Sequence, residues 1–152
     1  MGLLNRIEEL EKELAELKSK VKEGPKFPEY GDIYWCIDEE GIVYVNTFEG
    51  IQADRNILEI GNVFKTAEEA EFAVEKLKVE AELRNLSDSW DLENTQYTFS
   101  FNWEVGEFEL DYPDYNQYPG SYYFDSLDSW EQAIESVGEE RIKKYLFGVE
   151  EL

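Results

Sequence analysis

The sequence predicts an α+β protein: an N-terminal coiled-coil helix followed by two β-β-β-α units with antiparallel sheet. Three observations predict it. Apolar residues recur at alternating steps of four and three near the N-terminus, two-residue alternation takes over after Tyr30, and the order of apolar runs and helix openings repeats at an offset of sixty residues. The expected boundaries are 1–24 for an oligomerisation helix, 25–30 for a linker, 31–86 for the first unit and 95–149 for the second.

The heptad comes first. Ile7, Leu14 and Val21 fall at a positions and Leu3, Leu10 and Leu17 at d, a choice that favours two parallel strands. The flanking charges agree. Arg6 and Glu13 at g would meet Glu11 and Lys18 at e of a parallel partner, whereas an antiparallel pair sets Glu11 against Glu11 and Arg6 against Lys20. A lone amphipathic helix packed on its own domain is the alternative, since a helix this short is marginal in water without a partner surface. Gly24-Pro25 ends the pattern.

In the first unit, Ile33-Tyr34-Trp35-Cys36-Ile37 and Ile42-Val43-Tyr44-Val45 flank Asp38-Glu39-Glu40-Gly41, which predicts a hairpin. A loop through Asp54 and Arg55 leads to a short strand at Asn62-Val63-Phe64. Thr66-Ala67-Glu68-Glu69 then opens a helix as a capping box. In the second unit, Tyr97, Phe99, Phe101, Trp103 and Val105 alternate, Gly106 turns, and Phe108, Leu110 and Tyr112 alternate against Glu107, Glu109 and Asp111. Tyr122-Tyr123-Phe124 is the third strand and Ser126 the cap of a helix. Phe64, Thr66, Ala73, Val74 and Leu77 align with Phe124, Ser126, Ala133, Ile134 and Val137. A last short helix over 139–147 carries Arg141, Lys143 and Lys144.

Composition restricts the function. Thirty-six carboxylates against fourteen bases leave a net charge of −22, and histidine is absent. Such a chain repels nucleic acid and anionic lipid and attracts basic proteins. Lacking His, it also lacks the commonest general base and metal ligand. Zinc-type sites are not expected within one chain that has a single cysteine. Cys36 lies in an apolar strand and reads as a buried thiol in a reducing compartment. With neither a signal-peptide pattern nor a long apolar run, the expectation is a cytoplasmic protein that does not span a membrane. No P-loop, dinucleotide fingerprint or calcium-loop spacing is present. The expectation is a protein that is not an enzyme, with no cofactor and no metal; the enzymatic alternative is a hydrolase with two facing carboxylates in a cleft.

Two stretches carry a resemblance. Residues 60–78, IGNVFKTAEEAEFAVEKLK, are one; Tyr123-Phe124-Asp125-Ser126, with Ala133-Ile134 and residues 137–145, VGEERIKKY, are the other. Both resemble segments of short, mostly uncharacterised proteins of phages and prophages of Gram-positive bacteria. They cover about a third of the chain and lie on helix openings. The resemblance implies a phage origin and action inside the host cell. It makes an inhibitor of host defence, such as an anti-CRISPR or anti-restriction protein, the expected class without naming a target.

The candidate site follows from charge. From Asn85 to Glu140 there are fourteen carboxylates and thirteen aromatics but no Lys or Arg. Either these acids are ordinary solvated faces, or they imitate nucleic-acid phosphates and occupy the basic groove of a host nuclease or other nucleic-acid-binding factor. The expected partner-binding residues are Glu104, Glu107, Glu109, Asp111 and Asp114, with Tyr115, Tyr118 and Trp90 as aromatic anchors. Valency is expected from a parallel homodimer through Leu3, Ile7, Leu10, Leu14, Leu17 and Val21. The alternative function is a ligand-sequestering or structural interaction protein that uses the aromatic loop around Tyr112, Tyr115 and Tyr118.

Overall fold

A computed structural model describes residues 2–23, 26–113 and 115–150. Among them the chain is α+β, with five helices and two antiparallel two-stranded sheets. Gly24, Pro25 and Asp114 lie outside the described residues, so the predicted helix stop and one predicted site residue are not described.

Helix α1 (Leu3–Glu23) is the first described element. Every described side chain from Gly2 to Val21 is exposed, including all six apolar heptad residues. Pro28 is buried, Lys65 Nζ lies 5.5 Å from the centre of the Phe27 ring, and the Gly31 amide donates to the Phe48 carbonyl at 2.8 Å.

Strands β1 (Ile33–Ile37) and β2 (Val43–Thr47) form the first hairpin, with Trp35 opposite Val45. Its turn is fixed by the Asp38 carboxylate, which accepts from the amides of Glu40 and Ile42 at 2.9 and 2.8 Å. Gly41 closes it at φ +81°, where a side chain would be strained. The loop predicted through Asp54 and Arg55 is instead helix α2 (Gln52–Glu59).

The third strand predicted in each unit is reduced to bridges. Phe64 exchanges both backbone hydrogen bonds with Trp35, and Phe124 does the same with Tyr97. Around Phe64 a side chain supplies the missing pairing: the Asn62 amide donates to the Ile37 carbonyl at 2.7 Å and accepts from its N–H at 2.8 Å. A strand can thus stop after one bridged residue without orphaning its neighbour's backbone.

Helix α3 (Ala67–Leu86) is capped by Thr66, whose hydroxyl accepts from the Glu69 amide. Its buried residues do not form one stripe. Ala70 and Val74 near its start lie about 180° around the helix from Val79 and Leu83 near its end. The first half faces the β1–β2 sheet, while Val79 and Leu83 belong to the core of the second half of the chain. The two halves therefore do not share a sheet; they share this helix, on opposite faces.

Strands β3 (Thr98–Asn102) and β4 (Glu107–Asp111) form the second hairpin, shorter than the alternation predicted, with Trp103 and Val105 in the turn. Helix α4 (Leu127–Val137) is capped by Ser126 as α3 is by Thr66. Gly138 at φ +99° turns the chain into α5 (Glu139–Phe147). The core joins Val79, Leu83, Phe99, Phe124, Ala133, Val137 and Ile142. Arg141 clamps α5 onto α3 through a two-pronged pair with Glu82 at 2.9 and 3.1 Å. That pair is part-exposed, so it fixes geometry more than it adds stability.

One buried ionisable pair organises the first sheet. The Tyr34 hydroxyl, fully buried, donates to Asp54 at 2.7 Å, and the Glu49 amide donates to the same carboxylate at 2.9 Å. These bonds, Tyr34's foremost, hold the Asp54 carboxyl below its ordinary range, while burial pushes the tyrosine up. A depressed carboxyl contributes stability above its unfolded value, near pH 4, and loses it as pH falls through the folded one. We expect Tyr34→Phe to be less stable than wild type at neutral pH and the difference to narrow below about pH 4. Urea midpoints at several pH values measure this, and a constant difference would contradict it.

Candidate functional site

The hairpin β3–β4 separates its two faces cleanly. Phe99, Phe101, Phe108 and Leu110 alternate with Glu107, Glu109 and Asp111, whose cross-strand partners are Asn102, Ser100 and Thr98. The aromatic face packs inward, with Phe99 5.3 Å from Phe108 and both against Trp130 of α4. The other face carries the carboxylates. Glu107 and Glu109 are exposed and Asp111 is half-buried. Alternate strand residues stand about 6.7 Å apart, and no basic side chain opposes them across the sheet. Asp111 accepts from the Tyr112 amide at 2.9 Å, and the Asn102 side-chain amide lies 3.4 Å from Glu109.

A second row lies on α4. Asp128, Glu131 and Glu135 follow the spacing i, i+3, i+7 and are all exposed, on the side away from Ala133 and Val137. Three charges over about 10 Å of helix make this row denser than the strand row. Sequence reasoning counted these acids but did not single them out. The signal was available in the helical spacing once the helix was placed.

Other carboxylates of the segment are engaged in holding the fold. Asp88 accepts from the Asp125 amide at 3.0 Å, Asp91 accepts from the Glu93 amide at 2.9 Å and from the Asn94 side chain, and Asp125 accepts from Gln96. Glu139 and Glu140 pair with Lys143 at 3.6 and 3.2 Å. Of these acids six form two outward rows and five are bonded within the fold, while Glu93 and Glu104 are exposed outside both sets; the charge is not one continuous sheet.

The aromatic anchors divide similarly. Trp90 is half-buried, its ring edge-on to Tyr123 at 4.9 Å. Tyr115 is 82% exposed and Tyr118 is 42% exposed. The loop that carries them is pinned, because the Tyr123 hydroxyl accepts from the Tyr118 amide at 2.6 Å and donates to its carbonyl at 3.1 Å. Tyr112, for its part, meets Tyr97 edge-on. Asp114 lies outside the described residues.

The residue that sequence reasoning missed is Trp103. Strict alternation assigned Trp103 and Val105 to the inward face of a longer strand. The strand ends at Asn102, whose side chain accepts from the Glu104 and Val105 amides at 3.1 and 3.4 Å and bends the chain into a turn. Trp103 and Val105 project from that turn, 65% and 60% exposed, beside exposed Glu104 and Glu107. An exposed Trp flanked by acids at a hairpin tip has the composition of an interface anchor.

Cys36 is fully buried, and burial pushes its thiol up. Among the described residues no three Asp, Glu or Cys stand close enough to hold a metal ion. None of the described helices is long and apolar enough to cross a membrane. Compared with protein-family models, curated proteins and solved structures, the chain matches none.

Proposed function

We propose that the chain is a non-catalytic acidic inhibitor that occupies a basic, nucleic-acid-binding surface of a host defence protein, in part by imitating phosphate charge. The observation that carries this reading is the pair of outward carboxylate rows, Glu107–Glu109–Asp111 and Asp128–Glu131–Glu135, in a segment without one basic residue. One row alone is sparse: about 6.7 Å per charge on the strand compares with about 1.7 Å per charge along duplex DNA. The strand row lies on the sheet face turned away from α4 and the helix row on the side of α4 turned away from the core. They do not add on one surface; a second chain set beside the first is what brings the density nearer. Trp103 at the hairpin tip, with Tyr115 and Tyr118, adds apolar contact that charge alone does not supply.

The second copy comes from α1. Leu3, Ile7, Leu10, Leu14, Leu17 and Val21 are all between 47% and 86% exposed on a 21-residue helix. A parallel two-stranded coil buries them, and it sets Arg6 against Glu11 and Glu13 against Lys18 of the partner helix. The sixty-residue repeat supports reading the body as two related β-β-β-α units whose third strands have shrunk to bridges. The resemblance to phage proteins directs the choice of target toward host nucleases of a Gram-positive cell.

Immobilised full-length chain should capture its target from host lysate at about 50 mM salt and release it, by tenfold or more, at about 500 mM. Added duplex DNA should compete for the captured protein. The triple variant Glu107→Lys, Glu109→Lys, Asp111→Lys should capture none, and Trp103→Ala should weaken capture while leaving the thermal midpoint unchanged. Capture indifferent to salt and to the triple reversal would overturn the proposal.

A further inference from the structure

The internal repeat shows what the first half of the chain lacks. Val137, aligned with Leu77 at the offset of sixty, is buried in one cluster with Ile142 of α5, the short helix that carries Arg141, Lys143 and Lys144. Among the described residues no helix follows α3 at the corresponding place on the first sheet, and Leu77 is left 56% exposed. Beside it runs an open groove of about 660 Å³ between the end of β1, the α2–α3 connection and α3. Ile37, Phe64 and Ala73 line it together with Leu77 and with Ile60, which is 77% exposed. Its walls are fixed, because the Asn62 side chain ties the connection to the backbone of Ile37 on both sides of its amide. Asp38, Glu39 and Glu80 line the same groove against one basic residue, Lys76.

We infer that this groove docks a short basic amphipathic helix of a partner protein, seated as α5 seats in the second half. Apolar anchors one turn apart would cover Leu77 and Ile60, and flanking Lys or Arg would meet Asp38, Glu39 and Glu80. Charge selects the occupant. A second copy of this chain brings a body as acidic as the groove's own rim, whereas a cationic helix is drawn to it. The site is separate from the carboxylate rows of β4 and α4, and it holds whether or not those rows imitate nucleic acid.

The probe is an amidated 14-residue peptide with Leu at helical spacing on one face and Lys elsewhere, compared with a peptide in which Ser replaces Leu. In two-dimensional amide NMR of the full chain, the Leu peptide should shift Ile37, Ile60, Asn62 and Leu77. Leu77→Ser or Ile60→Ser should weaken its binding about tenfold, the loss expected for one anchor left uncovered. Both residues are exposed, so neither variant should disturb folding, and the thermal midpoint checks this. The triple Lys variant of β4 should bind the Leu peptide at this groove unchanged, which separates failure here from failure of the proposed function. Equal affinity for the Ser peptide, shifts confined to β4 and α4, or indifference to both Ser variants would overturn the inference.

Discussion

On the proposed coiled coil, Leu10→Asp with Leu14→Asp should turn a two-chain particle into a single chain: sedimentation equilibrium should fall from twice the 17.9 kDa chain mass to once that mass. The two leucines occupy adjacent d and a layers at the middle of α1 and are 47% and 51% exposed in the single chain. A 21-residue helix spans about 31 Å but is marginal alone. Its stability must come from covering its apolar stripe. Each Leu fully buried at the seam is worth roughly 1.5–3 kcal/mol, and a carboxylate there faces its own copy across the interface, unpaired and desolvated. Two such layers out of six leave too little to hold the pair. Helical ellipticity should fall with the mass, because α1 frays once its partner is lost. The near-ultraviolet spectrum, set by aromatics packed in the body, should not change. A chain that is monomeric before substitution, or dimeric after it, refutes the coiled coil.

Phe124→Ala should cost about 3–5 kcal/mol, enough to unfold a large part of the population when total stability is about 5–15 kcal/mol. Phe124 is fully buried and does two jobs at one position. Its backbone closes the two-bond bridge to Tyr97, and its ring packs edge-on against Phe99 at 5.4 Å. The same cluster receives Val79 and Leu83 from α3 and Ile142 from α5, so the cavity opens where three segments meet and cannot collapse from one side. Urea unfolding followed by tryptophan fluorescence measures the loss. A cost under about 1 kcal/mol would show that this cluster is not the main core. Ile142→Ala, fully buried in the same cluster, should also be costly, whereas Trp103→Ala should leave stability near wild type. Under the proposed function, stability rests on Phe99 and Phe108 and partner contact on Trp103, whose ring meets the fold edge-on against Phe101 at 4.8 Å.

Several features were legible because they rest on short-range rules. The α+β class, the helix over 67–86 with its Thr66 cap, the hairpin turn at Gly41 and the carboxylate face of β4 all follow from residues within a few positions of one another. Helix α2 was missed because Asp54 and Arg55 break its apolar pattern, and what holds it is a tertiary bond: the Asp54 carboxylate reaches back to Tyr34, twenty residues earlier. Trp103 was misplaced because alternation continues past the point where the Asn102 side chain bends the backbone. The third strands were read at full length because local propensity reports a preference for extended backbone and not how many partners it finds.

Order along the chain is where the two sources part. Charge, periodicity and capping are properties of neighbours, and the order of residues alone sets the net charge of −22, the heptad spacing and the acid-rich segment. Which acids face outward, which of the two faces of α3 each half of the chain claims, and that Leu77 stays open while Val137 is covered were decided only in the folded molecule. These depend on contacts between residues as far apart as Glu82 and Arg141, and such contacts are chosen by burial and packing of the whole core, to which no local pattern is a guide.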